Sequence, residues 1–258
     1  MIDYLDLAKK AAKEAGEVHK KYFGTKITAK AKSSPFDLVT VADIEAEKRI
    51  VAVLRDSCPD HNILAEEEIY PATGSDLTWI IDPLDGTNNF AYGIPIFCVS
   101  IALARAKDVI LGVVYDVNRD ELFCAEKGKG AFLNDRPISV SPIDKLEKSM
   151  LATGFYYDRA DDMSGTLEWI KKFFLRHITG IRRLGAAALD LSYVGCGRFT
   201  GFWEFNLSPW DFAAGKIIIE EAGGKITDRR GQAVDPVKSG FVVASNGKIH
   251  ATMLDILR

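Results

Sequence analysis

Apolar positions recur at spacings of three and four over residues 3–23, where Leu5, Ala8, Ala12, Ala15, His19 and Tyr22 line one face and lysines and glutamates the other. That period predicts an amphipathic helix stopped by Gly24. His19 is expected at the edge of the packed face. A second helix is expected from about 43 to 57, with Ile44, Ile50, Val51 and Leu54 buried and Asp43 as its cap. Short apolar runs at Asn62–Ala65 and Trp79–Ile81 read as strands. The second is expected to end at Pro83, which has no N–H for a ladder. Phe97–Ala104, Val109–Tyr115 and Glu121–Ala125 follow as strands separated by short turns, with a hairpin at Gly128-Lys129-Gly130. Consecutive strands joined this way form an antiparallel meander, which excludes a purely parallel doubly wound sheet.

The second half opens near Lys145. Met150–Phe155 is strand-like, and residues 162–176 predict a helix carrying Leu167, Ile170, Phe173 and Phe174. Small residues dominate Ile181–Leu191, which reads as a closely packed helix. Ser208 and Pro209 suit a helix cap and first turn, and Gly223-Gly224 its end. Strands around 225–227 and 241–244 and a helix from about 248 complete the chain. The fold class is mixed α/β; periodicity alone does not order its layers.

A length of 258 residues fits one large unit or two tightly joined halves, about 1–144 and 145–258. A net charge of −3 supplies no concentrated basic face, so nucleic acid is not expected as a primary partner. No apolar run approaches the ~20 residues a membrane span needs. The first residues lack the basic start and apolar core of a signal peptide, and a cytoplasmic location is expected. Cys58, Cys98, Cys124 and Cys196 form no C-x-x-C pair, and three of them lie in apolar or small-residue surroundings, so buried free thiols are expected as the default. The histidines form no zinc pattern. Asn206-Leu207-Ser208 matches a glycosylation acceptor by accident.

Candidate chemistry concentrates at Asp82-Pro83-Leu84-Asp85-Gly86-Thr87-Asn88-Asn89-Phe90. Two carboxylates at a strand end, then a glycine and a hydroxyl, suit a hard divalent cation such as Mg²⁺. Read residue by residue, the segment is also compatible with a strand-to-turn junction bearing solvated acids. Read as a whole, it resembles the D-P-[IL]-D-G-T-x-N-F signature of the inositol monophosphatase family of metal-dependent sugar-phosphate phosphatases. Further segments are similar to that family. Lys32–Thr40 with Asp43 resembles its active-site loop, and Ala65-Glu66-Glu67 its G-E-E segment with alanine for glycine. Thr153-Gly154-Phe155-Tyr156-Tyr157 resembles Thr-Gly-Phe-Pro-Tyr, and Ala186 stands where a serine or threonine is common. Trp210-Asp211-Phe212-Ala213-Ala214-Gly215 matches W-D-x-A-A-G.

The resemblance implies a layered αβαβα sandwich with largely antiparallel sheets, and metal-assisted hydrolysis of a phosphate monoester with two to three Mg²⁺ ions. It implies metal ligands Glu66, Asp82, the Leu84 carbonyl, Asp85 and Asp211. Catalytic roles fall to Glu66, Thr87 and Asp43, with Thr87 orienting the attacking water. Substrate contacts fall to Asp85, Gly86, Thr87, Gly185, Ala186, Ala187, Glu204 and Asp211, with Glu204 on a polyol hydroxyl. Inositol phosphates, fructose 1,6-bisphosphate, histidinol phosphate and 3′-phosphoadenosine 5′-phosphate suit relatives, and a homodimer is common among them. Two other classes remain open at this point. An aspartyl-phosphate phosphatase of the haloacid dehalogenase type spaces its acids two apart, whereas these are three apart across a proline. A catalytically silent binding module would lack one of the acids or Thr87; all are present.

Overall fold

Asp3 starts the first helix by accepting from the amides of Leu5 and Asp6, each at 3.0 Å. The computed structural model describes residues 2–25, 30–31, 38–155 and 161–258. In chain order these form α1 (Tyr4–Tyr22), β1 (Lys30–Ala31), β2 (Leu38–Val39), α2 (Val41–Ser57), β3 (Asn62–Ala65), β4 (Leu77–Asp85) and α3 (Thr87–Ala91). The meander follows as β5 (Cys98–Arg105), β6 (Asp108–Asp116), β7 (Glu121–Glu126), β8 (Ala131–Leu133) and β9 (Arg136–Pro137). Then come β10 (Met150–Thr153), α4 (Asp161–Phe174), β11 (Gly180–Arg182), α5 (Ala187–Gly195) and β12 (Gly201–Leu207). The chain closes with α6 (Pro209–Glu221), β13 (Lys225–Thr227), β14 (Gly240–Ser245) and α7 (His250–Leu257).

Two mixed sheets carry the fold. The larger, ordered β3-β4-β5-β6-β7-β8-β9, is antiparallel except where β3 pairs with β4. The smaller, ordered β11-β10-β12-β14-β13, is parallel at β10–β11 and β10–β12 and antiparallel at its other pairings.

Alternation along β4 and β5 shows why the sheets stack in layers. Trp79, Ile81, Val99, Ile101 and Leu103 pack toward the alanine-rich faces of α1 and α2. Ile80, Cys98, Ala102 and Ala104 point the other way, toward α5 and α6. Beyond those helices Phe202 of β12 faces inward, while Trp203 faces outward onto Phe173 of α4 and Met253 of α7. The order is therefore α1/α2, sheet, α5/α6, sheet, α4/α7, the αβαβα sandwich.

Five local readings change. Ile44, expected in the buried stripe of α2, is 39% exposed. The strand β4 runs through Pro83 to Asp85 instead of ending there, because the register slips between Asp82 and Asp85 and the missing N–H falls in that irregular step. Thr40, not Asp43, is the N-cap of α2; Asp43 sits at the third helical position and closes a capping box. The stretch 181–191 divides into the end of β11 and the start of α5, with Gly185 at φ +85° between them. His19 is fully buried rather than at an edge, because Phe90 and Phe97 close over it. Cys58, Cys98 and Cys124 are buried free thiols, and Cys196 is partly covered. Among the described residues no helix is long and apolar enough to cross a membrane.

Candidate active site

Asp82 and Asp85 should point to opposite faces of a regular strand, since they are three residues apart. A bulge brings them to the same face. Asp82 pairs with Ser100 and Asp85 with Cys98, so three steps on β4 oppose two on β5. Ser100 and Cys98 share the inner face, and the two carboxylates share it with them. A second bulge does similar work in the other sheet. Glu204 pairs with Val242 and Leu207 with Gly240, with Asn206 at φ +47° in the extra position. The two irregular steps face each other across the starts of α5 and α6.

Around Asp82 and Asp85 the backbone is tightly specified. Asp82 Oδ1 accepts from the Leu84 amide at 2.9 Å. Asp85 Oδ2 accepts from the Ala188 amide, at the start of α5, at 2.7 Å, and from the Cys98 thiol at 3.6 Å. Gly86 takes φ +96°, and a Cβ there would lie 2.9 Å from the Ile96 carbonyl oxygen. Both facts confine the position to glycine.

Thr87 follows at the first turn of α3. Its Oγ1 lies 2.9 Å from Asp43 Oδ1 and 3.0 Å from the Leu84 carbonyl oxygen. The other oxygen of Asp43 accepts from the amide and hydroxyl of Thr40 at 2.8 and 2.6 Å. One carboxylate therefore ties the start of α2 to the metal-type motif. The acidic run after β3 is held by another acid. Glu47 accepts from the amides of Glu67 and Glu68, each at 2.9 Å, and from Tyr70 at 3.1 Å. These amides partly compensate the burial of the Glu47 carboxylate, which Glu68 opposes as a like charge.

The opposite wall comes from the second half. Asp211 Oδ2 accepts from the Ser208 amide at 2.7 Å, at the third position of α6. Asn89 Nδ2 donates to the Leu184 carbonyl at 2.8 Å and joins the turn before α5 to α3. The Glu204 carboxyl lies against Gly154, so closely that its atoms fall 2.0–2.2 Å from where a Cβ would stand.

These groups enclose a cavity of about 450 Å³. It is lined by Glu66, Asp82, Leu84, Asp85, Gly86, Thr87, Gly185, Ala186, Ala187, Glu204 and Asp211, so every expected site residue except Asp43 reaches it. Asp43 stands behind Thr87. Expected loop residues 32–37, Tyr156 and Tyr157 lie outside the described residues. Arg183, Asp190 and Asn206 also line the cavity and were not anticipated. A lone acid in the apolar run Ala187–Gly195 was the available signal for Asp190.

Burial and crowding of like charges set the electrostatics. Burial, then Glu66, Asp85 and Asp211, push the Asp82 carboxyl well above its usual range. Burial raises Asp85 to about 6, against the relief of the Ala188 amide. Asp211 is raised by burial and then by Asp85, and Glu204 reaches about 8 through burial, partly offset by Arg183. Asp43 is raised by burial against its threonine hydrogen bonds. Arg183 is the one basic side chain lining the cavity among the described residues. Such a set of oxygen donors short of positive charge fits a hard divalent cation. Among the described residues no group of three or more acids, histidines or cysteines is already drawn into a closed ligand cage. The acids stand as walls around a space.

The model of the inositol monophosphatase family matches residues 3–258. The chain belongs to the inositol monophosphatase family. Inositol-1-monophosphatase of Synechocystis is 42% identical over 256 residues, covering 98% of this chain and 88% of that protein. A Nus factor SuhB of Pseudomonas aeruginosa is 39% identical, covering 100% and 97%. An IMPase structure from Thermotoga maritima superposes with a TM-score of 0.90 at 39% identity, covering 99% of this chain and 97% of the other. An IMPase/NADP phosphatase solved with Mg²⁺ and phosphate is 29% identical, with a TM-score of 0.83 over 95% and 90% of the two chains. Membership of the inositol monophosphatase family makes this chain a phosphoric monoester hydrolase.

Proposed function

We propose that this chain hydrolyses a small polyol or sugar phosphate, most closely myo-inositol 1-phosphate, with Mg²⁺ at the acidic cavity. The observation that carries the reading is the bulge at Asp82–Asp85, which turns both acids toward Glu66, Asp211 and Thr87. Glu66, Asp82 and the Leu84 carbonyl would hold one ion, and Asp82, Asp85 and Asp211 a second, with a third ion near Glu66. Bound there, the ions would supply charge stabilisation at the attacking and leaving oxygens and lower the pKa of water. The protein's own groups do the positioning. Thr87, held by Asp43, orients the attacking water in line with the ester bond. The Gly86 and Thr87 amides receive the phosphate oxygens. Glu204 accepts from a hydroxyl of the leaving group. The starts of α5 and α6 place Asp85 and Asp211 by their amides, so neither carboxylate searches for its position.

We also read the chain as a cytoplasmic homodimer without nucleic acid as its primary partner. The curated relatives and the Mg²⁺- and phosphate-bound structure support the phosphatase reading. The test is phosphate release with Mg²⁺ across inositol phosphate, fructose 1,6-bisphosphate, histidinol phosphate and 3′-phosphoadenosine 5′-phosphate, alongside Asp85→Asn. Turnover that collapses in the variant is expected. No turnover on any substrate by a folded, Mg²⁺-stabilised protein would overturn it.

A further inference from the structure

Asp190 sits in the first turn of α5, and only 1% of it is exposed to solvent. Its Oδ1 meets no hydrogen-bond partner among the described residues. Its amide is already committed to the Ala186 carbonyl at 3.0 Å, so the helix is served without the side chain. The charges acting on its carboxyl are Glu204 and Asp85, both acidic, and Arg183. Leaving a buried carboxylate oxygen unpaired is costly, and such groups call for an explanation. Packing does not supply one. Its sequence neighbours on α5, Leu189 and Leu191, are buried and apolar and supply no donor.

Asp190 lines the cavity, and the described residues supply no donor to its Oδ1. Asp190 lines the same space as Glu204, which arrives from the other sheet. Two acceptors from two elements thus converge on the half of the site reserved for the leaving group. We propose that Asp190 is a specificity-determining residue, accepting a hydrogen bond from a second hydroxyl of a polyol leaving group beside the one held by Glu204. The ligand class is a phosphate ester whose alcohol carries at least two further hydroxyls, and the inference rests on the phosphatase reading above. A leaving group without hydroxyls leaves both acids unpaired, which is a strong basis for rejection.

The experiment uses the full chain with Mg²⁺ and compares kcat/KM for myo-inositol 1-phosphate with that for phenyl phosphate, whose leaving group has no further hydroxyl. Asp190→Leu is expected to lower the ratio of the two values by about tenfold or more, mainly through KM for the polyol ester. Asp190→Asn, which keeps an acceptor oxygen, is expected to restore much of the ratio. Inhibition by free myo-inositol should weaken in parallel, while inhibition by inorganic phosphate should not follow it. Should Asp190→Leu fail to fold, Asp190→Asn against Asp190→Ser carries the same comparison. Equal losses on both substrates would make Asp190 structural and overturn the proposal. An unchanged ratio would do the same and assign the partner to an ordered water. Loss of all turnover in the wild-type chain would instead remove the phosphatase reading.

Discussion

His19 Nε2 lies 2.9 Å from the carbonyl oxygen of Pro83, across 64 residues of sequence. The carbonyl only accepts, so Nε2 carries the proton; Nδ1 is buried without a partner among the described residues. Phe90 and Phe97 pack edge-on to the ring at 5.9 and 5.6 Å. Pro83 is in the irregular step between Asp82 and Asp85, so α1 pins the bulge that orients both acids. Replacing His19 by leucine removes the donor and leaves the carbonyl unpaired. A loss of about 1–3 kcal/mol in urea unfolding is expected, with a higher Mg²⁺ concentration for half-maximal stabilisation. Gln at this position, which keeps a donor, should recover part of both. An unchanged Mg²⁺ response in His19→Leu would separate the helix from the site.

A second buried histidine sets the response to acid. His250 lies between Thr227 Oγ1 at 2.8 Å and Ser245 Oγ at 2.9 Å. Burial lowers it from 6.5 to about 4, and His19 is lowered to about 4 in the same way. Both are neutral in the folded state. Between pH 6.5 and 4 the unfolded chain binds protons at these histidines that the folded chain refuses, so their contribution to stability is full above 6.5 and lost as pH falls through that window. Asp85, raised to about 6, and Glu204, raised to about 8, act with the opposite sign. Each histidine adds up to about 1.4 kcal/mol per pH unit to the slope there. His250→Gln should show a shallower slope than the wild type in urea titrations at pH 7, 6 and 5. Parallel slopes would place the proton uptake elsewhere.

Thr87 joins the helix α2 to the bulge through a single hydroxyl, 2.9 Å from Asp43 and 3.0 Å from the Leu84 carbonyl. Valine matches its shape and removes the oxygen. If the hydroxyl orients the attacking water, kcat should fall by about 10²–10³ with KM little changed. Serine should retain most of the rate. Asp43 loses a partner in the valine protein, and a stability loss of about 1 kcal/mol accompanies the change. Full kcat in Thr87→Val would remove the role.

Much of this was legible in the sequence because period and punctuation are local. The apolar runs of β4 and β5, the helical stripe of α1 and the Ser208-Pro209 start of α6 need no distant partner to be read. The layers and the site geometry depend on pairing. Pro83 looked like a strand end because its lost N–H matters in a regular ladder; only the register with β5 shows that no bond is required there. Asp43 looked like a cap because its carboxylate suits a helix start; it serves that start from the third helical position, by closing the box with Thr40. His19 looked peripheral because Phe90 and Phe97, which bury it, are distant in sequence. Asp190 went unremarked because its meaning comes from Glu204, on a strand that reaches it only after folding.

Gly154 and Glu204 give the last test. The glycine's missing side chain is the space that the Glu204 carboxyl fills, at 2.0–2.2 Å from an ideal Cβ. Alanine at 154 cannot coexist with that carboxyl. Only the free end of a flexible side chain has to move, so the fold should survive at a cost of about 1 kcal/mol. The displaced acid then no longer meets the leaving group's hydroxyl. Turnover of myo-inositol 1-phosphate should fall about tenfold relative to phenyl phosphate, through KM more than kcat. The measurement pairs thermal unfolding with kinetics on both esters. A large drop in unfolding temperature with an unchanged substrate ratio would mean that Gly154 serves backbone packing, and that the position of Glu204 does not select the alcohol.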